Sequence, residues 1–220
     1  MPDLTVSEEH FAELCAARGI RCRRLPEGGA RTADYEIRLG QLLVYAEVKQ
    51  LDLNEEDRKR REDMRAGGAV AVAPTRRVRD HIGKAYRQLK SYAKRQHPCI
   101  VVLYNNAGIL NHIDSFTVTS AMFGSFGIRL ALDSSRTVQQ VGQGFLGNRK
   151  VTRNTCRGIS AVCVLDSSGS GEKRLTAYHN PFASHPIPPE MLALIASSQL
   201  RHDNPHDGRF APLFPNEIEV

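Results

Sequence analysis

The chain has 220 residues, 41% of them apolar and 25% charged, and carries a formal net charge of +6. This length suits one domain of about 150 residues with extensions, and the apolar content supports a real core, which excludes a wholly disordered chain. The longest apolar runs, residues 99–104 and 159–165, fall far short of the roughly 18 residues of a membrane span, and Met1-Pro2-Asp3-Leu4 lacks the basic start and apolar run of a secretory signal. The expectation is therefore a soluble cytoplasmic protein with no membrane partner. The five cysteines are odd in number and show no CxxC spacing, so they read as buried thiols and not as a zinc site.

In chain order, Ser7 is the expected N-cap of a first helix, with Glu8 and Glu9 in its opening turn and Phe11, Leu14 and Cys15 on an apolar stripe. That helix should stop at Arg18-Gly19 and be followed by a short strand over 20–25 and a loop over 26–31. Residues 33–39 and 42–51 read as strands joined at Gly40-Gln41, a dipeptide suited to a type II′ hairpin. A two-residue loop pairs Leu39 with Leu42, Ile37 with Val44, Tyr35 with Ala46 and Asp34 with Glu47. One face then carries Tyr35, Ile37, Val44, Ala46 and Val48. The other, expected to face solvent, carries Asp34, Glu36, Tyr45, Glu47 and Lys49.

Residues 54–65 are charged all round and fit either a helix or a loop ended by Gly67-Gly68, with a short strand possible over 69–73. Residues 79–96 form the clearest helix, with Ile82, Ala85, Tyr86, Leu89, Tyr92 and Ala93 on one stripe and Lys84, Arg87, Lys90, Lys94 and Arg95 opposite. The continuous apolar run 99–104 fits a central strand buried on both faces. Further on, the pattern predicts a short helix over 120–126, a glycine-containing basic loop over 142–157, strands over 159–166 and 174–179, and a helix over 191–198, with an irregular end from Arg201. The histidines are scattered, and His179-Asn180 reads as a structural turn.

Charge is unevenly spread. Residues 58–95 hold 13 Lys or Arg against 3 Asp or Glu, and the remainder is net acidic. Such a block is the electrostatic footprint of a polyanion partner, or else a solvated helical face. On the hairpin, Asp34 and Glu47 stand opposite each other, where paired residues have Cβ atoms roughly 4.5–5.5 Å apart. Two carboxylates that close repel unless a cation lies between them. Hard oxygen ligands suit Mg²⁺, which takes one or two carboxylates together with phosphate oxygens. Lys49, on the same face, is placed to orient a metal-bound water, and the Val48 carbonyl is a further candidate ligand. The bland alternative is a weak surface ion pair between Glu47 and Lys49.

Asp34, followed after twelve residues by Glu47-Val48-Lys49, resembles the PD-(D/E)XK nuclease superfamily. The resemblance covers residues 7–106 and follows that family's order of helix, three-stranded meander, helix, strand. It departs from the pattern at Ala33, where many members have proline. It implies an α/β fold with a restriction-endonuclease-like core over 1–106; beyond 106 no motif of the family is matched, and 107–220 reads as a C-terminal α+β extension on the same sheet, together with the core one compact domain. It also implies a nuclease hydrolysing phosphodiester bonds of nucleic acid, DNA being the expected substrate, with Mg²⁺ as cofactor and Mn²⁺ as a substitute. Asp34 and Glu47 would then be metal ligands and Lys49 would assist the attacking water. Glu8 corresponds to a glutamate of the first helix, with Glu9 and Glu13 as rivals, and Gln88 to a glutamine of the later helix. Phosphate contacts fall to Arg58, Lys59, Arg60, Arg61, Arg76, Arg77, Lys84, Arg87 and Lys94. Cutting both strands at a symmetric site would call for a homodimer. A nucleic-acid-binding module without catalysis, or a regulatory protein on the same fold, is the alternative.

Overall fold

The computed structural model describes residues 4–26, 32–70, 75–108, 113–133, 135–167, 172–201 and 211–212. The chain begins with α1 (Val6–Ala17), capped by Thr5 and not by Ser7: the Thr5 side chain accepts from the Glu8 N–H while the Glu8 carboxylate accepts from the Thr5 N–H. Ser7 is buried instead, its N–H donating to Gln50 Oε1 at 3.0 Å. Gly19, at φ +65°, ends the helix. Strands β1 (Arg21–Arg24), β2 (Tyr35–Leu39) and β3 (Leu42–Leu51) form an antiparallel meander. The expected hairpin register holds from Leu39↔Leu42 to Tyr35↔Ala46, and Gly40 takes the positive φ of +59° that this turn requires. The loop expected over 26–31 lies, beyond Pro26, outside the described residues.

The charged segment is a helix, α2 (Glu55–Arg65), with an Asn54/Asp57 capping box. The strand expected over 69–73 falls partly outside the described residues, and 69–70 are not in a strand. Helix α3 (Thr75–Lys94) begins four residues earlier than the periodicity suggested and buries Val78, Ile82, Ala85, Leu89 and Tyr92. Strand β4 (Cys99–Asn105) is the central strand, parallel both to β3 and to β7 (Ala161–Ser167).

Three expectations in the second half need correction. Helix α4 (Ser115–Phe123) starts at an Asp114 cap, five residues before the predicted span. The predicted basic loop is in part a strand: β5 (Ser125–Leu132) and β6 (Val138–Leu146) form a separate two-stranded ribbon. After β8 (Lys173–His179), the helix predicted over 191–198 is only the short α5 (Pro189–Leu192), and from Ser198 the chain, including part of the end expected to be irregular, forms β9 (Ser198–Arg201), which pairs with β8 and with β10 (Ala211–Pro212).

The main sheet therefore runs β1-β2-β3-β4-β7-β8-β9-β10, and it continues without a break across residue 106. This is a mixed α/β architecture with helices on both faces. On one face α1 and α5 cover Tyr35, Ile37, Val44, Ala46 and Val48. On the other, α3 and α4 cover Tyr45, Leu51, Val101, Leu103 and Val164. Among the described residues no helix is long and apolar enough to cross a membrane.

Candidate functional site

The face bearing Glu47 does not face solvent. Pairing with β4 makes β3 an inner strand, and α3 packs over its odd-numbered side chains, so Glu47 is 0% exposed. The ladder between β2 and β3 ends at Tyr35↔Ala46. One step on, the Val48 N–H would lose its strand partner, and a buried amide must find another acceptor. Asp34 Oδ2 takes it at 2.7 Å. The sequence thus ends a strand and fixes a carboxylate beside Glu47 in one stroke.

Lys49, on the same face two residues on, forms an ion pair with Glu47 Oε1. The second oxygen, Glu47 Oε2, is buried and has no hydrogen-bond partner. Burial first, then the Asp34 carboxylate, pushes the Glu47 carboxyl up to about 8 from an ordinary 4.5, against the pull of Lys49. Asp34 is also raised, by burial and by the charge of Glu8, with the Val48 N–H, Lys49 and Arg24 opposing. Glu8 lies within electrostatic reach of Asp34 and is nearly buried, whereas Glu9 is exposed and Glu13 pairs with Lys173 and His10. Of the three rivals, Glu8 alone acts on Asp34. It is nevertheless already engaged, holding Thr5 in the capping box and lying 3.5 Å from Arg24. Among the described residues no three His, Cys, Asp or Glu side chains converge as a ready-made metal cage.

Helix α3 runs antiparallel to β3 beneath this face. Tyr92, near its end, stacks on Tyr45 with ring centroids 4.0 Å apart. His81, near its start, lies within electrostatic reach of Lys49: burial, then Lys84, Arg77 and Lys49, push its imidazole down to about 4, and its Nδ1 is buried without a partner. Gln88 sits on the same strip of the helix, two turns after His81 and one before Tyr92. It is half-buried and makes no hydrogen bond to the carboxylates among the described residues. His81 was missed in the sequence because the histidines looked scattered. The available signal was its position three residues after Val78 and four before Ala85, on the buried stripe.

The basic block divides in two. Arg77 and Arg60 turn inward to Asp57, whose side chain is almost fully buried. Arg58, Lys59, Arg61, Arg76, Lys84, Arg87 and Lys94 are exposed on α2 and α3. The turn at His179-Asn180 is structural: His179 Nε2 meets Gln199 Oε1 at 2.8 Å, and the Asn180 amide donates to the carbonyls of Ile159 and Cys156. All five cysteines are free thiols. Compared with family models, curated proteins and solved structures, the chain matches none.

Proposed function

We propose that this protein is a Mg²⁺-dependent nuclease with a restriction-endonuclease-like core, hydrolysing phosphodiester bonds of nucleic acid, DNA in the first instance. The observation that carries the reading is Glu47 Oε2, a buried carboxylate oxygen with no partner, held next to a second carboxylate on the face that also bears Lys49. A carboxylate held in this state takes up a proton, as its raised pKa shows, or a cation in the proton's place. Two carboxylates suffice for Mg²⁺, or for Mn²⁺ in its place, since such an ion retains waters and accepts phosphate oxygens as its remaining ligands.

Asp34 and Glu47 would hold the ion, with the Val48 carbonyl available beside them. When bound, it supplies Lewis-acid polarisation of the phosphate and a more acidic water. The chain's own contribution is positional. The Val48 N–H holds Asp34 in place, β4 and α3 keep bulk water away from Glu47, and Lys49 offers an ammonium to orient the attacking water and to balance charge developing on the phosphate. In the hydrolysis one P–O bond forms from water, one ester P–O bond breaks, and the leaving oxygen takes up a proton. Glu8 is assigned to orienting Asp34 through charge, and Gln88 to the margin of the substrate path along α3. The exposed cations of α2 and α3 would contact the phosphate backbone, which predicts binding that weakens linearly with the logarithm of salt concentration.

The second reading, a binding module without turnover, is favoured by one observation: Lys49 already pairs with Glu47, and among the described residues no third His, Cys, Asp or Glu side chain joins the two carboxylates. A cleavage assay decides between them. Supercoiled plasmid, single-stranded DNA and RNA are incubated with the protein and Mg²⁺, Mn²⁺ or EDTA, alongside Asp34→Ala and Lys49→Ala. Metal-dependent cleavage lost in both variants is the result expected. Salt-sensitive binding with no cleavage under any metal would replace the nuclease with the binding module.

A further inference from the structure

The β5–β6 ribbon is not hydrogen-bonded to the main sheet. Its register sets Phe126 opposite Phe145, Leu130 opposite Gln140 and Leu132 opposite Val138, so Phe126, Ile128, Leu130, Leu132 and Val138 share one face. These five side chains are between 40 and 68% exposed, and Val141, the extra residue at the bulge beside Leu130, is 55% exposed. Gln140 and Gln143 share this face, and the opposite face carries Ser125, Gly127, Arg129, Ala131, Gln139, Gly142, Gly144 and Leu146, three of them glycines. In β5 apolar residues alternate with small or polar ones, the pattern of a strand that buries one face. A two-stranded ribbon alone is at best marginally stable in water.

This ribbon is nonetheless well braced at both ends. At its root Phe145 is buried, with ring centroids 5.7 Å from Phe123 of α4 and 5.8 Å from Phe126. At its tip Asp133 accepts from the N–H groups of Ser135 and Thr137 and from Gln139 Nε2.

We propose that the apolar face of this ribbon is a homodimer interface, covered by the same face of a second copy. Two observations select that occupant. The first is charge. The two strands contain a single charged residue, Arg129, and it lies on the other face. In a chain of net charge +6, this is a surface that two copies can bring together without like-charge repulsion. The second is area. Six side chains at these exposures offer on the order of 100 Å² each, about 600 Å² per copy, which is as large as the biggest apolar patches on monomers. Two ribbons face to face would bury on the order of 1,200 Å², the lower bound for a specific stable interface. The contact would be isologous, Leu130 and Ile128 of one copy packing near those of the other across a two-fold axis.

The test is the mass of the full chain in solution, by sedimentation and light scattering at tens of micromolar. Twice the 24.5 kDa chain mass is expected. Leu130→Glu and Leu130→Lys, each alone, should weaken the dimer by about a hundredfold, with the far-UV circular dichroism of the folded chain retained. Mixing the two variants should restore it, since opposite charges then face each other, a rescue that misfolding would not give. Arg129→Glu, on the opposite face, should leave the dimer intact. A wild-type monomer at these concentrations, a dimer indifferent to the Leu130 changes, or a ribbon that binds phospholipid vesicles in preference to itself would each overturn the proposal.

Discussion

Replacing Glu47 with glutamine separates a strained carboxylate from a satisfied one. The substitution keeps the shape of the side chain and removes only its ability to ionise. In the metal-free protein, burial and Asp34 hold the Glu47 carboxyl near 8 against an ordinary 4.5. At about 1.36 kcal/mol per pH unit, this disfavours its ionised form in the folded state by roughly 5 kcal/mol. The sign follows from proton binding. Between 4.5 and 8 the folded state holds a proton that the unfolded state has released, so stability is full below 4.5 and falls as the pH rises through 8. Glutamine removes that loss but leaves Lys49 unpaired, a cost of about 1 kcal/mol for a partly exposed ion pair. In EDTA at pH 9, Glu47→Gln should therefore be more stable than wild type by about 4 kcal/mol, or roughly 8–16 °C in melting temperature for a chain this long. At pH 5 the gain should vanish. Urea unfolding at the two pH values, with and without Mg²⁺, measures it. Mg²⁺ should raise the wild-type melting temperature more at pH 9 than at pH 6 and should not move the variant. If the variant is the less stable protein at pH 9 in EDTA, Lys49 already compensates Glu47 fully, and the case for a missing cation fails.

Three further outcomes are expected. Lys49→Met should reduce cleavage by about a hundredfold or more, while the Mg²⁺-dependent thermal shift of the protein persists, because Lys49 is assigned to the water and not to the ion. His81→Gln should flatten the loss of stability as the pH falls from 6.5 to about 4, since burial and its cationic neighbours oppose protonation of this imidazole; acid titration by circular dichroism reports it. Changing Arg58, Lys59 and Arg61 together to alanine should lower the salt slope of DNA binding by about three phosphate contacts' worth without altering the thermal shift by Mg²⁺.

The hairpin was legible because every signal in it is local: Gly40 at the turn, alternation on both strands, and a loop length that fixes register. Its apolar face was read correctly, residue for residue. The burial of Glu47 was not legible, because it depends on β4 joining β3 from fifty residues away and on α3 lying across the odd-numbered side chains. A carboxylate on a two-stranded hairpin looks solvated; on an inner strand it is not. The ribbon was missed for the converse reason. Gly142 and Gly144 give β6 the local chemistry of a loop, and only pairing with β5 makes it a strand. Strand β9 was missed because Ser198–Arg201 joins the parallel partner β8, a contact that no local pattern announces.

Helix α2 shows how the basic block is attached to the sheet, and it carries the last prediction. Its single buried residue is Asp57, so no apolar face holds it down. Asp57 completes the cap at Asn54, pairs with Arg60 of its own helix, and pairs with Arg77 of α3, which in turn donates to the Asp52 carbonyl just before the helix. One carboxylate therefore fastens three pieces of chain. Breaking a buried ion pair by removing one partner costs about 3–5 kcal/mol, because the other charge is left uncompensated. For Asp57→Ala the cost should fall on α2 alone, since α1, α3 and the sheet are held by the two apolar cores. Hydrogen exchange should show protection lost over Glu55–Arg65 and retained in β3 and β4, with trypsin cutting at the arginines of α2. DNA binding should weaken through the cations of α2, while the Mg²⁺-dependent thermal shift stays, because Asp34 and Glu47 are positioned by β2, β3 and β4. Loss of that shift together with α2 would mean that the helix supports the carboxylate pair directly, and the separation of binding surface from metal site would have to be abandoned.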